Sequence, residues 1–206
     1  MVATPCGFDS LPAHMKIGKT LYCTDRKAWR KWLAQNYNKE KEIWLIYYRK
    51  ESGKPRISYE DAVEEALCYG WIDSIVKGID DKRYAQRYSP RKSTSVLSQP
   101  NRERIHKLIA QKKMTKAGLA ALAHVFDPKK DKLDSFIVPS AIFRALKADK
   151  DAWKNWQKFP ESYKRIRIDY IETRKRHGHE IYKKALQYFL KMTAQNKRFG
   201  FVKEML

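Results

Sequence analysis

The segment from Cys68 to Arg91 combines one carboxylate with several cationic and hydroxyl side chains. Asp73 follows Trp71-Ile72, where a predicted helix gives way to a strand, and Arg83, Arg87 and Arg91 come at a spacing that one β-hairpin would bring back toward it. Arginine and aspartate pair through directional, often bidentate hydrogen bonds. Such a group either fixes the hairpin on its sheet as a buried ion-pair cluster or lines a polar ligand pocket, and the sequence leaves both alternatives open.

In the pocket alternative, the hairpin would orient a small polar or anionic molecule, and Asp73 would act as a general base. The strand period of two places Arg83 and Arg87 on one face and Tyr84 and Gln86 on the other. No nucleophile is evident, because Cys68 lies on the apolar side of its predicted helix. Whether the chain is an enzyme therefore stays open. The candidate pocket residues are Trp71, Asp73, Arg83, Tyr84, Gln86, Arg87 and Arg91.

A second candidate site is the basic run from Tyr163 to Arg176. Tyr163, Ile166 and Tyr170 share one face of the predicted helix, and lysines and arginines occupy the others. Phosphate backbones attract such cations through sequence-independent, salt-sensitive contacts. The competing interpretation is a solvated helix face, because no DNA- or RNA-reading motif is present. The polyanion-binding candidates are Arg102, Arg104, Lys107, Lys164, Arg165, Arg167, Arg174 and Lys175.

The charge of the chain supports the second site more than the first. There are 44 Lys and Arg against 23 Asp and Glu, a net charge of +21. Residues 101–206 carry 26 basic and 11 acidic side chains, whereas residues 1–100 carry 18 and 12. This field favours nucleic acid or another polyanion as a partner, although the same charge could serve only to keep the protein soluble.

The remaining chemistry-bearing residues predict neither a cofactor nor a metal site. Cys6, Cys23 and Cys68 have no disulfide-framework or metal-like spacing, which favours a reducing compartment. His177 and His179 have no third ligand nearby in the sequence. Because no stretch approaches the roughly 20 apolar residues that span a bilayer and no leader pattern opens the chain, we expect a cytoplasmic protein without a transmembrane segment.

The elements that must position these residues alternate between strands and helices up to Tyr88. Asp25 predicts a helix N-cap, and Ser58 with Asp61 has the spacing of a capping box. The glycine at Gly78 predicts a turn between the last two strands. The predicted strands are 21–23, 42–49, 71–76 and 83–88, the helices between them start after Asp25 and Ser58, and the turn covers 78–81.

After Asn101 the apolar period changes from two to 3.6, which predicts helices. We expect an α+β fold in which a small N-terminal sheet of order β-α-β-α-β-β packs against a helical C-terminal half. The predicted organisation is an arm at 1–18, a sheet unit at 19–96 and a basic helical unit at 97–206, the last two being either separate or one compact domain. The predicted core is Trp29, Trp32, Ile43, Leu45, Ala66, Trp71, Leu108, Leu122, Phe143 and Leu186.

Several motifs together resemble the YdeI/OmdA family, labelled bacteriocin-protection or OmpD-associated. The resemblance covers about residues 20–184 and departs from the family pattern at Leu97, at Lys112–Met114 and at Lys175–Glu180. It implies a link to envelope stress or to resistance against cationic peptides, without an agreed molecular activity. The motifs are Trp29-Arg-Lys-Trp-Leu33, the run from Ile57 to Asp73, Tyr88-Ser-Pro-Arg91 and Met114-Thr-Lys-Ala-Gly118.

We therefore expect a non-enzymatic cytoplasmic protein that binds polyanions such as nucleic acid, in stress or antimicrobial-peptide resistance. One alternative is a small-molecule enzyme or sensor centred on Asp73, Tyr84 and Arg87. Another is a module that binds a protein partner. The sequence does not predict an oligomeric state.

Overall fold

The computed structural model describes residues 16–133 and 136–200. The predicted α+β class is confirmed, and so is the β-α-β-α-β-β order of its first part. Most of the predicted arm, residues 1–15, lies outside the described residues. The strands are β1 (Thr20–Tyr22), β2 (Ile43–Tyr48), β3 (Trp71–Asp80) and β4 (Arg83–Pro90). The helices are α1 (Arg26–Asn36), α2 (Tyr59–Cys68), α3 (Gln99–Ala110), α4 (Lys116–Leu122), α5 (Ser140–Ala148), α6 (Lys150–Lys158), α7 (Glu161–Thr173) and α8 (His179–Ala194).

The chain divides into two compact units. The first contains the residues up to Ala66 together with Trp71–Pro90, and the second contains Leu67–Gly70 and the residues from Arg91 onward. In the first unit the strands form one sheet in the order β1-β2-β4-β3. Strand β1 runs parallel to β2, and the other two pairings are antiparallel.

The hairpin of β3 and β4 is longer than the sequence predicts. The expected turn at 78–81 is wrong, because β3 continues to Asp80 and Gly78 pairs with Tyr84. Asp80 closes the actual turn by accepting a hydrogen bond from the backbone N–H of Lys82 at 2.9 Å. Glycine signals a turn only statistically, and here it lies beside one of the two irregularities in the β3–β4 register.

Helices α1 and α2 provide the apolar cover of one sheet face in the first unit. Trp29 of α1 packs its ring against Tyr88 of β4 at 5.4 Å and donates its indole N–H to the carbonyl of Ala62 at 3.0 Å. Ile43 and Leu45 of β2 are fully buried. The two caps form as predicted, since Asp25 accepts from Ala28 N and Ser58 Oγ accepts from Asp61 N.

A charged cluster that the sequence did not predict joins α1 to α2. Arg26 donates to Asp61 and Glu64 at 2.8 Å each and also pairs with Glu65. Arg30 bonds the second oxygen of Glu65 at 2.6 Å. Because the Glu65 side chain is nearly inaccessible to solvent, the two arginines compensate the cost of burying its charge.

In the second unit the main apolar core is built by helices α5 to α8. Ile142, Trp156, Tyr163 and Phe189 are buried members of this cluster. Phe143 is more than one third exposed, which corrects its predicted place in the core; it packs edge-on against Trp153 instead. Trp32 and Leu186 are half-buried, and the other predicted core residues are buried.

Two of the family-like motifs meet in the second unit, at the end of α2 and the start of α4. The carbonyl of Cys68 accepts hydrogen bonds from the backbone N–H of Thr115 at 3.1 Å and from its hydroxyl at 2.6 Å. The same hydroxyl oxygen accepts from Gly118 N at 3.0 Å, which caps α4. Gly118 lies so close that an added Cβ would be 2.2 Å from the Cys68 oxygen.

We expect Gly118→Ala to destabilise the protein, because the new methyl group would overlap backbone atoms that cannot move aside like a flexible side chain. The expected loss is about 2 kcal/mol of unfolding free energy, the usual range for overpacking, even though alanine has the higher helix propensity. Urea denaturation measures it.

Gly78→Ala is the matched control, since no atom lies within 4 Å of its Cβ position. We expect that change to alter stability by less than about 0.5 kcal/mol. Equal losses in the two variants would contradict the close backbone contact.

Candidate functional site

Asp73 lies on β3 opposite Tyr88 of β4, and its carboxylate is bound by neutral donors. The hydroxyl of Tyr59 donates to Asp73 Oδ2 at 2.8 Å, and Gln86 Nε2 donates to the same oxygen at 3.4 Å. Of the predicted pocket residues, the structure therefore joins Asp73 and Gln86. Tyr59, at the start of α2, was not predicted.

Two of the three arginines pair with carboxylates other than Asp73. Arg87 donates from Nε to Glu42 Oε2 at 2.8 Å, and Arg83 pairs with Asp80 at 2.6 Å. The strand period explains this: Asp73 shares the face of Gln86 and Tyr88, while Arg83 and Arg87 alternate onto the other face.

Two other predicted pocket residues have local partners of their own. Arg91 belongs to the second unit, where its Nη1 donates to the Val96 carbonyl at 3.2 Å. Trp71 is buried, and its indole N–H donates to the Tyr37 carbonyl at 3.1 Å. Trp71 is thus part of the core, as the sequence also indicated.

Tyrosines of β2 and β4 extend the hydrogen-bonded group around Asp73. The hydroxyls of Tyr47 and Tyr88 lie 3.1 Å apart, and the Tyr84 ring stacks on Tyr47 with centroids 5.2 Å apart. Arg56 Nη1 donates to the Tyr84 hydroxyl at 3.2 Å. Burial raises the pKa of Tyr47 and of Tyr88, so both phenols stay neutral. The sheet holds a polar network here, in which a phenol and an amide donate to the Asp73 carboxylate.

The second unit contains a cleft of about 330 Å³ with a strongly basic lining. None of the pocket residues predicted around Asp73 lines it. Two of the predicted polyanion-binding residues do, one on α3 and one on α7, and two lysines follow α4 in the loop before α5. The cationic lining residues are Arg102, Lys130, Lys132 and Arg165, against the single carboxylate of Asp131.

Helix α7 is fixed to α3 by a bidentate ion pair beside the cleft. Arg165 donates to the two oxygens of Glu103 at 2.6 and 2.9 Å, and the side chains are only 11% and 8% exposed. Gln99 Nε2, one turn earlier on α3, donates to Glu103 at 2.8 Å. This planar geometry is available to arginine and not to lysine.

The loop that carries the two lysines is tied to α3 by a second ion pair. Arg102 pairs through Nη1 with Asp131 and donates from Nη2 to the Val125 carbonyl at 3.1 Å. Asp131 also accepts from the backbone N–H of Asp127 at 2.7 Å, which closes the loop on itself. Lys130 remains 86% exposed.

Two other predicted polyanion-binding residues, Arg167 and Lys164, are buried. Arg167 is buried with its guanidinium between the rings of Tyr163, Tyr170 and Phe199, at 5.0–5.8 Å from their centroids. Lys164 is buried to a similar degree, over the Trp156 ring. Cation–π contacts and apolar stems, which helical periodicity does not reveal, draw these cations inward.

The other predicted polyanion-binding residues differ in burial and in their partners. Arg104 is buried and donates to Asn101 Oδ1 at 2.8 Å. Arg174 lies 4.2 Å from the Tyr170 ring centroid, and Lys175 pairs with Glu172 at 2.6 Å. Lys107 of α3 is exposed.

The described residues contain neither a cluster of metal-ligating side chains nor a membrane-spanning helix. Within residues 16–133 and 136–200, no three His, Cys, Asp or Glu side chains lie close enough together to hold a metal ion. Among the same residues, none of the helices has the length and apolar character needed to cross a membrane.

Burial, with a smaller contribution from Asp25, raises the pKa of the Cys23 thiol to about 11, so this thiol is protonated at neutral pH.

The structure is that of an α+β protein whose second unit contains a cleft lined by arginine and lysine side chains. The model of the family described as Bacteriocin-protection, YdeI or OmpD-Associated matches residues 135–178, which confirms the YdeI/OmdA resemblance over α5 to α7. Residues 21–121, including the segment from Cys68 to Arg91, match a domain of unknown function, DUF8412. No curated protein and no solved structure matches this chain. Each of the two matched segments, 21–121 and 135–178, contains residues that line the cleft.

The Glu42–Arg87 pair gives a pH-dependent prediction. The hydrogen bond from Arg87 holds the pKa of Glu42 below its usual range, so ionised Glu42 stabilises the folded state. This contribution is complete above the unfolded pKa and disappears as the pH falls through the folded one. Because the pair is partly exposed, we expect Glu42→Gln to cost at most about 1 kcal/mol at pH 7 and less below about pH 4.

Urea denaturation at pH 7 and below about pH 4 measures how much unfolding free energy the variant loses at each pH. Glu51→Gln is the control, because Glu51 is also in the first unit and is exposed. A loss for Glu42→Gln that is the same at both pH values would show that the ion pair contributes no charge-dependent stability.

Proposed function

We propose that the second unit binds nucleic acid through phosphate contacts at the basic cleft. The observation that carries the proposal is the cleft lining, in which Lys130 and Lys132 lie beside two arginines that are paired with carboxylates, Arg102 with Asp131 and Arg165 with Glu103. A concave surface with an excess of one sign of charge focuses the electric field and concentrates ions of the opposite sign. Arginine binds a phosphate group through two parallel hydrogen bonds, and lysine binds it as a point charge.

The charge of the rest of the unit adds to the attraction. Residues 101–206 have an excess of 15 positive charges. Such a field accelerates the approach of a polyanion before any specific contact forms, and its effect falls with ionic strength. Polyanions, which occupy several cations at once, gain more from it than single phosphates.

The cations of the cleft divide into fixed and movable groups. Arg102 is oriented by Asp131 and by the Val125 carbonyl, yet a guanidinium has five N–H donors and retains capacity for a phosphate oxygen. Lys130 has a long exposed side chain that can reach toward a backbone phosphate. The cleft thus supplies two guanidinium groups held by carboxylates and, in Lys130, an exposed lysine charge.

Reversing the two loop lysines tests the proposal without disturbing the core. We expect Lys130→Glu with Lys132→Glu to weaken binding of a labelled oligonucleotide at least ten-fold, because two attractive charges become repulsive. The slope of log affinity against log salt should fall by about 1 for each phosphate that the variant no longer binds. Fluorescence anisotropy between about 50 and 200 mM salt measures both quantities.

Lys183→Glu with Lys184→Glu is the matched control. Both lysines are exposed on α8, in the same unit but outside the cleft lining, and the change in net charge is identical. We expect that variant to retain most of the affinity. Equal losses of affinity in the two double variants would show that net charge and not the cleft determines binding. Binding by the unaltered protein that is absent or independent of salt would overturn the proposal.

A further inference from the structure

The wall of the basic cleft also carries apolar groups, which phosphate binding alone does not require. Leu133, Phe136 and Ile137 line it beside the cations. Ile137 is 83% exposed, and Phe136 is half-buried with part of its surface against the core of the unit. Apolar surface next to cations suits a ligand that has both an anionic and a flat apolar part.

We propose that the cleft accepts one unpaired base of a single-stranded nucleic acid, with the adjoining phosphates on the cations. This inference rests on the proposed function and specifies its ligand. Bases of a single strand can turn outward and stack on aromatic side chains, whereas the bases of a duplex are stacked inside it. Phe136 contributes a phenyl ring to the lining, and Ile137 extends the apolar wall.

The dimensions and polar groups of the cleft agree with a single base. Its volume of about 330 Å³ is at the lower end of the range for small-molecule sites, so it admits one protruding group and not a double helix. Gln99 and His106 also line it and provide hydrogen-bonding groups at its α3 side. The His106 ring packs edge-on against the Phe126 ring, with centroids 5.2 Å apart.

The charge arrangement separates this ligand from an acidic protein or a bare polyanion. Phosphates of a nucleic acid strand recur on both sides of every base, and cations border the apolar wall from α3, from α7 and from the loop after α4. A polyphosphate would use the same cations and leave Phe136 and Ile137 in contact with water. Base stacking on an apolar wall is therefore the feature that distinguishes the ligands.

Competition experiments with the full chain test the inference. A labelled oligothymidylate is displaced by four unlabelled competitors: the same strand, its RNA counterpart, the duplex, and an abasic strand that keeps sugars and phosphates. We expect either single strand to compete roughly ten-fold better than the duplex or the abasic strand, as expected for stacking of one base. Equal competition by intact and abasic strands would overturn the inference while leaving phosphate binding in place.

Two variants locate the base. Phe136→Leu retains apolar packing but removes the ring, and Ile137→Ser alters an exposed side chain that the fold does not need. Each should reduce the preference for intact over abasic strand at least three-fold and leave the salt slope unchanged, in contrast to the lysine double variant. An unchanged preference in both variants would overturn the assignment of the base to this wall. Failure of every competitor to bind would overturn the proposed function as well.

Discussion

The basic cleft depends on one buried interaction, the bidentate pair between Arg165 of α7 and Glu103 of α3. A buried carboxylate and a buried guanidinium are each costly alone, so removal of either partner would destabilise the packing of the two helices. Arg102 lies next to Glu103 on α3, and its own pairing with Asp131 positions the loop that carries Lys130. Removing Glu103 would therefore change the shape of the cleft and not only its charge.

Much of the fold could be predicted because its local signals agree with its tertiary contacts. Asp25 and Ser58 cap the helices that their spacing indicates, and the alternation in β4 matches the observed register. The end of β3 could not be predicted, since cross-strand pairing beyond Gly78 outweighs the turn preference of glycine. Phe143 fits the helical period of apolar residues, which predicted a core position, but it packs against Trp153 of the neighbouring helix at the surface.

The candidate sites were harder to predict because they depend on which side chains find partners across elements. Asp73 and three nearby arginines looked like one cluster, yet Glu42, which is distant in sequence, binds Arg87. In the basic helix α7, periodicity identified the apolar stripe but not the inward turn of Arg167 onto aromatic rings. Arg102 and Arg165 could be chosen from the sequence as cations, but their convergence with the loop lysines requires the tertiary fold.

The most direct test of nucleic-acid binding at this cleft is photocrosslinking of the full chain to a single strand that carries a photoreactive thymine analogue, followed by mass spectrometry of the peptides. We expect the crosslinks to concentrate on the segment with Phe136 and Ile137 and on the α3 segment with His106, and we expect high salt to abolish them. Crosslinks confined to the first unit, for example at the exposed Tyr22 or Tyr59, would contradict binding at this cleft.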